Sequence, residues 1–439
     1  MADVFGGRRH FQQRVRQGGP YGKRRALQKA LVRPNSSNHA VAATSTEAQL
    51  LLACARVQLD ANCARLARHL LGQQIDWDAM LSLAARHRVR PLLYASLSAL
   101  HDERIPSSAM DALQVFAGNN ARRNLFLIGS LFRLLDLFQA NRIPAAAFKG
   151  PMLAMGAYGN AALREAGDID LLVPRRDIAR AKRLLTERGF CPIFPTASDR
   201  ETAYLRSLSG HREISYLLAH AEHHLLDPRD GVNVDLHWGL ALSEFCVLRD
   251  WKEPWRWVRR QSLAGRKVWG FAPEETLLIL CINGAKDCWR RLDRICDIRE
   301  LLERNPTMNW DRVFAAAARA GAARIVCLGL GLAEELLGAR LPDQARQHLR
   351  ADGALLHLIE NVREGLFQNN AGHVEEAGLA KSILHLRMRE RLRDRIAYCL
   401  ARLEPTVGDW AAAGLPTGLS WLHYILRPFR LALRLFRKA

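Results

Sequence analysis

Asp168 and Asp170 are separated by one residue in the run Gly-Asp-Ile-Asp-Leu-Leu-Val. In a β-strand, residues i and i+2 point to the same side, so the two carboxylates would lie next to each other. Unpaired carboxylates at this spacing repel each other and are costly to bury, and a divalent cation removes the conflict. Mg²⁺ prefers oxygen ligands and commonly lies between carboxylates and the phosphates of a substrate. The pair therefore indicates a metal centre that acts on phosphates.

A third carboxylate is available in residues 232–238, where polar and apolar side chains alternate strictly. The alternation predicts a strand with Asp235 and His237 on one face and apolar residues on the other. Three acids can hold two metal ions about 4 Å apart, which suits in-line phosphoryl transfer. Asp235 would then bind the metal on the nucleophile side and accept the proton of the acceptor. His237 would orient the acceptor or Asp235, or it would make a structural hydrogen bond.

Three cations and a glycine are candidates for binding phosphates beside these acids. Lys149 and Gly150 lie at a predicted strand–helix turn, where glycine lets the backbone approach phosphates and the helix start offers free N–H groups. Arg164 precedes Asp168 by four residues and would contact the same phosphates or pair with the aspartates. Lys286 lies on a predicted helix that either covers the site and contacts the nucleotide or exposes this lysine to solvent.

Hydrophobic periodicity predicts the elements that position these residues. Residues 45–139 show helical spacing, and residues 144–148 form a short apolar run that suits a strand. Pro151 can occupy the first turn of the following helix, where its missing N–H costs little. Residues 169–173 are predicted as a buried strand, and Asp177 is predicted as the N-cap of the next helix.

The second half of the chain begins with a predicted hairpin over residues 222–238. A tryptophan-rich link follows, and a helix is predicted from Pro273 to about Glu303, with helical patterns continuing to about Leu403. From Gly418, apolar residues are interleaved with five cations. This pattern is typical of an amphipathic helix that lies on a membrane surface, docks on an acidic partner or packs on the helical region.

A known family shares this pattern of a lysine–glycine pair, an arginine and two aspartates. In this chain the shared residues are Phe148, Lys149, Gly150, Tyr158, Arg164, Asp168 and Asp170. They resemble the uncharacterised nucleotidyltransferase family of bacteria, of the NTP_transf_5 type. More distantly, they are similar to the nucleotidyltransferase toxins of abortive-infection systems. Asp235 matches the position where the family carries its third acid, and the resemblance covers most of the chain.

The resemblance implies an α+β fold in which a DNA polymerase β-like nucleotidyltransferase core, with a small mixed sheet, is flanked by N- and C-terminal helical regions. It implies a divalent metal, Mg²⁺ or Mn²⁺, and an NTP donor, with ATP as the first candidate. An NMP group would pass to a hydroxyl of a small molecule, a peptide or an RNA, with release of pyrophosphate. The catalytic metal ligands would be Asp168, Asp170 and Asp235. The residues that contact the nucleotide would be Lys149, Gly150, Arg164, His237 and Lys286.

One departure from the wider superfamily concerns the triphosphate. The superfamily grips it with a Gly-Ser pair, whereas this chain has Gly150-Pro151 and therefore lacks that serine hydroxyl. A second interpretation follows: a catalytically inactive protein of the same fold that binds a nucleotide or a partner.

The chain is long enough for several regions. The predicted regions are a basic disordered tail (1–42), an N-terminal helical region (43–140), the nucleotidyltransferase α/β core (141–262), a C-terminal helical domain (263–410) and a basic amphipathic C-terminal helix (411–439).

The formal net charge of +20 is concentrated at the two ends. Residues 1–40 carry nine Lys/Arg against one acid, and residues 421–439 carry five and no acid. Such ends attract nucleic acid, anionic lipid or an acidic partner, or are simply solvated.

The cysteines and the hydropathy bear on where the protein works. The nine cysteines are odd in number and contain no C-x-x-C pair, which argues against a disulfide framework or a structural zinc site. His223 and His224 would point to opposite faces of a strand, which also argues against zinc. No apolar run reaches the roughly 18 residues that a transmembrane helix needs. We expect a cytoplasmic protein that can associate peripherally with a membrane through its basic ends.

Overall fold

The computed structural model describes residues 45–193, 222–240, 254–367 and 376–403, together with residues 422, 425–427 and 429. The predicted disordered tail (1–42) and most of the predicted C-terminal helix (411–439) lie outside the described residues. Within the described part, no helix is both long enough and apolar enough to cross a membrane. The cysteines of the described part are free thiols, as their odd number and spacing predict.

Helices alone make up the chain before the first strand, as the periodicity predicts. They are α1 (Thr46–Cys54), α2 (Ala61–Leu71), α3 (Trp77–His87), α4 (Arg90–Leu100) and α5 (Ser107–Ala140). Asp60 caps α2 by accepting hydrogen bonds from two backbone N–H groups, and Asp76 caps α3 through the N–H of Ala79. These caps satisfy N–H groups that have no partner within the first turn of a helix.

A five-stranded mixed sheet follows. Its strands are β1 (Ala146–Ala147), β2 (Asp168–Leu172), β3 (Cys191–Pro192), β4 (Glu222–Asp227) and β5 (Val232–His237). They lie in the order β1-β2-β5-β4-β3, and β2 and β5 are parallel while every other neighbouring pair is antiparallel. Helix α6 (Gly150–Gly156) connects β1 to β2, and α7 (Ile178–Glu187) follows β2. Helices and a small mixed sheet agree with the predicted α+β class.

The sheet separates two hydrophobic cores because alternate residues of each strand point to opposite faces. Ile169 and Leu171 of β2, with Val234 and Leu236 of β5, pack against α5 and α7. The other face of the sheet carries the polar residues of the same strands. Leu172, at the end of β2, joins the larger core on that face. The predicted alternation of residues 232–238 is therefore confirmed.

A second hairpin lies where the sequence suggested only a link. It consists of β6 (Val258–Leu263) and β7 (Arg266–Phe271). Ala264 and Gly265 form its turn with positive φ angles of 46° and 83°, the geometry of a two-residue hairpin turn. Apolar residues at both ends of the hairpin are buried, whereas its middle is rich in exposed cations. The tryptophans that precede it drew attention away from this short alternating pattern.

The remaining described chain is helical. The helices are α8 (Pro273–Lys286), α9 (Asp293–Arg304), α10 (Trp310–Ala320), α11 (Ala323–Leu337), α12 (Asp343–Ala351), α13 (Leu355–Leu366), α14 (Glu376–Arg387) and α15 (Leu392–Leu403). Buried residues of these helices share one hydrophobic core with the helices that precede the sheet.

Two local predictions are wrong. The single helix from Pro273 to about Glu303 is broken, because Cys288 and Trp289 have φ angles of 53° and 54°. The break turns the wholly buried Trp289 ring against Gly284 and Gly329, where any Cβ atom would overlap the indole. Asp177 does not cap α7 with its side chain; its carboxylate accepts a hydrogen bond from Arg180 instead.

Buried polar contacts connect these regions. His87 accepts a hydrogen bond from the backbone N–H of Leu292 at 3.1 Å. Burial, reinforced by two nearby arginines, lowers the pKa of His87 to about 4, so the ring is uncharged at neutral pH and free to accept. Arg90 binds both carboxylate oxygens of Glu165, at 3.1 and 2.9 Å. The helices before the sheet are thus fastened to the α8–α9 loop and to the segment that leads into β2.

Two glycine substitutions test the packing of Trp289. We expect Gly284→Ala to destabilise the protein by about 1–3 kcal/mol, because the new methyl group overlaps the buried indole. Gly118→Ala in α5 is the control, since a Cβ there meets nothing within 4 Å, and it should stabilise by roughly 0.5–1 kcal/mol. Urea unfolding measures both. Equal effects of the two substitutions would contradict the proposed packing.

Candidate metal centre

The parallel pairing of β2 with β5 brings the predicted acids together. Asp170 is in register with Asp235, and Asp168 is in register with Asn233. Neighbouring strands lie about 4.8 Å apart, and residues in register project to the same side. All three aspartates therefore share the polar face of the sheet. The two elements come from segments more than 60 residues apart, and their register alone creates the cluster.

The side-chain atoms of this face form a ligand set of oxygen and nitrogen donors. One ligand atom from each of Asp170, Asp235 and His237 lies within 4.8 Å of the others. Asp168 stands two residues before Asp170 on the same face. Carboxylate oxygens and one imidazole nitrogen are donors that suit Mg²⁺ and Mn²⁺, with imidazole favouring Mn²⁺ of the two. The residues present thus fit a divalent cation.

The charges of the cluster affect its members differently. Burial, followed by the carboxylates of Asp170 and Asp235, raises the pKa of Asp168 to about 6. Burial acts in the same direction on Asp170, but the charge of Lys149 and a hydrogen bond from His237 outweigh it and lower the pKa of Asp170. Asp170 is thus the charged anchor of the cluster, and Asp168 carries the unrelieved repulsion.

Lys149 and Gly150 lie where the sequence predicts them, at the turn between β1 and α6. The ammonium group of Lys149 is 3.0 Å from Oδ1 of Asp170. Gly150 has a φ of +47°, and a Cβ there would collide with the carbonyl oxygen of Asp168. Glycine is therefore required for the turn to lie against β2. Pro151 lies in the first turn of α6, as predicted.

Two further residues of the site were not assigned from the sequence. They are Glu222 and His224 of β4, which pair in register with His237 and Asp235. His224 Nδ1 lies 2.7 Å from Asp235 Oδ1, and this hydrogen bond is the main cause that raises the pKa of His224. His237 lies between two acids, with Nε2 3.1 Å from Asp170 and Nδ1 3.1 Å from Glu222. The turn at residues 228–231 fixes this register and is the sequence signal that could have found them.

Lys286, near the end of α8, lies close enough to influence the same face. Burial acts to raise the pKa of Glu222, but the charges of His237 and Lys286 are the leading causes that lower it. Lys286 also opposes the protonation of His224. The helix after the second hairpin therefore brings a cation towards the polar face, on the side of the larger core.

Arg164 makes its direct contacts away from the aspartate pair. Its Nε and Nη2 donate to the two carboxylate oxygens of Asp297 at 2.8 and 3.0 Å. Tyr158 donates its hydroxyl proton to the same carboxylate at 2.7 Å. The sequence allowed Arg164 to pair with an aspartate, but its partner belongs to α9 and not to β2. Its charge still lowers the pKa of Asp168 from a distance.

Removing the carboxylate of Asp297 tests this buried pair. We expect Asp297→Ala to destabilise the protein by about 3–5 kcal/mol, because Arg164 is left buried and charged without its partner. The control is Asp343→Ala, whose side chain is 93% exposed beside Arg346 and should be nearly neutral, since exposed ion pairs contribute little. Thermal and urea unfolding measure both. A loss at Asp297 no larger than at Asp343 would contradict the role of the pair.

Comparison with known proteins adds one finding to this geometry. The sequence model of a family described as uncharacterised nucleotidyltransferase matches residues 73–338. The match is more than half of the chain and includes the three aspartates, both neighbouring histidines and Lys286. Comparison with curated proteins and with solved structures gives no match.

Proposed function

The chain belongs to the uncharacterised nucleotidyltransferase family, and we propose that it transfers a nucleoside monophosphate from an NTP, ATP first among candidates, to a hydroxyl group. The observation that carries the proposal is the register of β2 and β5, which sets Asp170 beside Asp235 with Asp168 on the same face. A cluster of acids held together in this way is suited to phosphoryl transfer with bound cations.

The order of elements supports a DNA polymerase β-like core. A short strand leads through Lys149-Gly150 into a helix, the next strand carries the aspartate pair, and a parallel neighbour carries the third acid. Apolar residues on the opposite face of the same strands anchor the sheet on α5 and α7. This arrangement leaves one face of the sheet free for chemistry.

The metal ligands in this proposal are Asp168, Asp170 and Asp235, with His237 beside them. A bound divalent cation, Mg²⁺ or Mn²⁺, would supply positive charge for the triphosphate and would lower the pKa of the acceptor hydroxyl. The raised pKa of Asp168 has the physical origin expected of an acid placed to share a cation, since burial and two neighbouring carboxylates cause it.

The chain's own residues handle the proton and the phosphates. Asp235 accepts the proton of the acceptor hydroxyl, while the hydrogen bond from His224 holds its carboxylate in place. The hydroxyl oxygen bonds to the α-phosphorus as the bond to the bridging β-oxygen breaks, and pyrophosphate leaves. Lys149, 3.0 Å from Asp170, is the cation placed nearest to the phosphates, and Lys286 approaches the same face. Arg164 acts as a positioning residue through Asp297.

A second candidate is a catalytically inactive protein that binds a nucleotide or a partner. The observation in its favour is Gly150-Pro151, since neither a serine hydroxyl nor the N–H of residue 151 is available to the triphosphate. The following helix is also short, with seven residues. Lys149 would have to compensate for these missing donors.

Asp168→Ala/Asp170→Ala tests the metal ligands. Wild-type protein is incubated with α-labelled NTPs, Mg²⁺ or Mn²⁺, and pools of RNA, peptides and metabolites. We expect label transfer to fall to background in the double variant, because the cation loses two ligands. Asp111→Ala/Asp343→Ala, which removes two exposed carboxylates, should leave transfer unchanged.

Thermal shift with metal and each NTP separates the two candidates. Stabilisation of the wild type by NTP with metal, lost in the double variant, supports the enzyme. Label transfer that persists in Asp168→Ala/Asp170→Ala contradicts the site. Nucleotide-dependent stabilisation that survives the double variant, without any transfer by the wild type, favours the inactive protein.

Lys149→Gln tests the proposed phosphate cation. We expect NTP binding to weaken by about 10- to 150-fold, because a charge-assisted hydrogen bond contributes about 1.5–3 kcal/mol. The control is Lys381→Gln, an exposed lysine of α14. Titration of nucleotide by calorimetry measures both variants in the presence of metal. Unchanged affinity in Lys149→Gln would remove Lys149 from the site.

A further inference from the structure

A cavity of about 420 Å³ lies between the end of α5 and the β6–β7 hairpin. Its apolar wall includes Leu135, Ile143 and Val268, which belong to the core on the face of the sheet opposite the aspartates. It is therefore separate from the candidate metal centre. Its volume falls within the range of roughly 300–1,000 Å³ that is common for pockets that bind small ligands or parts of larger ones.

The polar wall of this cavity is strongly basic. Arg142, Arg260, Arg266 and Lys267 line it, and none of its described lining residues is acidic. Asp136 pairs with Arg266 from just outside the cavity, so the local charge stays positive. Arg142 carries its side chain on a backbone with φ of 53°, a conformation that usually favours glycine. Like charges gathered around a concave surface favour an anionic ligand.

An exposed aromatic residue stands among these cations. Trp269 is 39% exposed, although large aromatic side chains are usually mostly buried. Arg260 lies directly opposite it in the hairpin, with its guanidinium carbon 4.1 Å from the centre of the indole. A stacked guanidinium and indole present flat surfaces on which nucleobases stack.

We propose that this cavity binds a single-stranded nucleic acid, with phosphates on Arg142, Arg266 and Lys267 and a base stacked on the Arg260–Trp269 pair. Backbone cations combined with an aromatic platform are the means by which proteins bind single strands. An anionic membrane surface is flat and does not enter a concave cavity of this size. A peptide rich in acids would not use the stacked pair.

The inference rests on the proposed function for its biological role, since it identifies the acceptor class as a nucleic acid strand with a terminal hydroxyl. Ala145 lines the cavity, and the chain runs from it through β1 to Lys149 in four residues. Four extended residues span at most about 14 Å. The cavity and the metal centre are thus close enough for one strand to contact both.

Binding is measured with the full chain by fluorescence anisotropy, using labelled 12-nucleotide RNA and DNA strands at several salt concentrations. We expect Arg260→Glu/Lys267→Glu to bind at least about tenfold more weakly, with a salt slope smaller by about two. Trp269→Ala should bind about 5- to 150-fold more weakly with an unchanged salt slope, because it removes stacking and no charge. Arg340→Glu/Arg350→Glu, at two exposed arginines elsewhere, is the control for net charge.

Photo-crosslinking identifies the place of contact, since the basic ends of the chain also attract nucleic acid. RNA and DNA that contain a thiolated base are crosslinked to the wild type, and we expect crosslinked peptides within residues 259–269. The RNA and DNA arms show which strand is preferred. Crosslinks confined to residues 1–40 and 421–439, or unchanged affinity in both hairpin variants, would overturn the proposal. Stronger binding to vesicles of anionic lipid than to either strand, lost in the same variants, would also overturn it.

The same measurements in Asp168→Ala/Asp170→Ala separate this inference from the proposed function. Nucleic acid binding that persists in this variant and falls with the hairpin substitutions supports the cavity, whether or not label transfer is ever found. Label transfer to a small molecule, without any effect of the hairpin substitutions on strand binding, overturns the cavity proposal and leaves the nucleotidyltransferase intact.

Discussion

The repulsion among carboxylates on one face of the sheet is the constraint to which the rest of the site responds. The in-register pairing of β2 and β5 forces Asp170 and Asp235 together, and two strands cannot separate them without losing their hydrogen bonds. Each acid has a compensating neighbour: Lys149 and His237 beside Asp170, and His224 beside Asp235. Asp168 alone keeps a raised pKa. The free energy of this crowding is offset by burial of the apolar residues on the other face of the same strands.

The sequence predicted much of the site because its signals are local. Alternation over residues 232–238 places Asp235 and His237 on one face, and a one-residue spacing does the same for Asp168 and Asp170. Glycine at position 150 was predicted from its place before a helix, and its positive φ explains why no other residue suits the turn. Helix boundaries in the first hundred described residues follow from capping aspartates such as Asp76.

The features that were not predicted depend on pairing between distant residues. The partners of Arg164 could not be read from its sequence neighbours, because Asp297 lies 133 residues away. The break at Cys288 and Trp289 depends on a slot formed by glycines of two different helices. Glu222 and His224 required the register of a hairpin, which only the turn residues set. In each case, tertiary packing decides among conformations that the local sequence leaves open.

The β6–β7 hairpin has a consequence for assembly that is independent of any ligand. Strand β1 is the outermost strand of the five-stranded sheet, with only β2 as a partner. Gly270 of β7 lies so close to it that a Cβ there would come within 3.0 Å of the Ala147 carbonyl oxygen. An uncovered edge strand is a template for pairing with other chains. By covering β1 with a strand whose outer positions are charged, the chain discourages edge-to-edge aggregation of its own catalytic sheet.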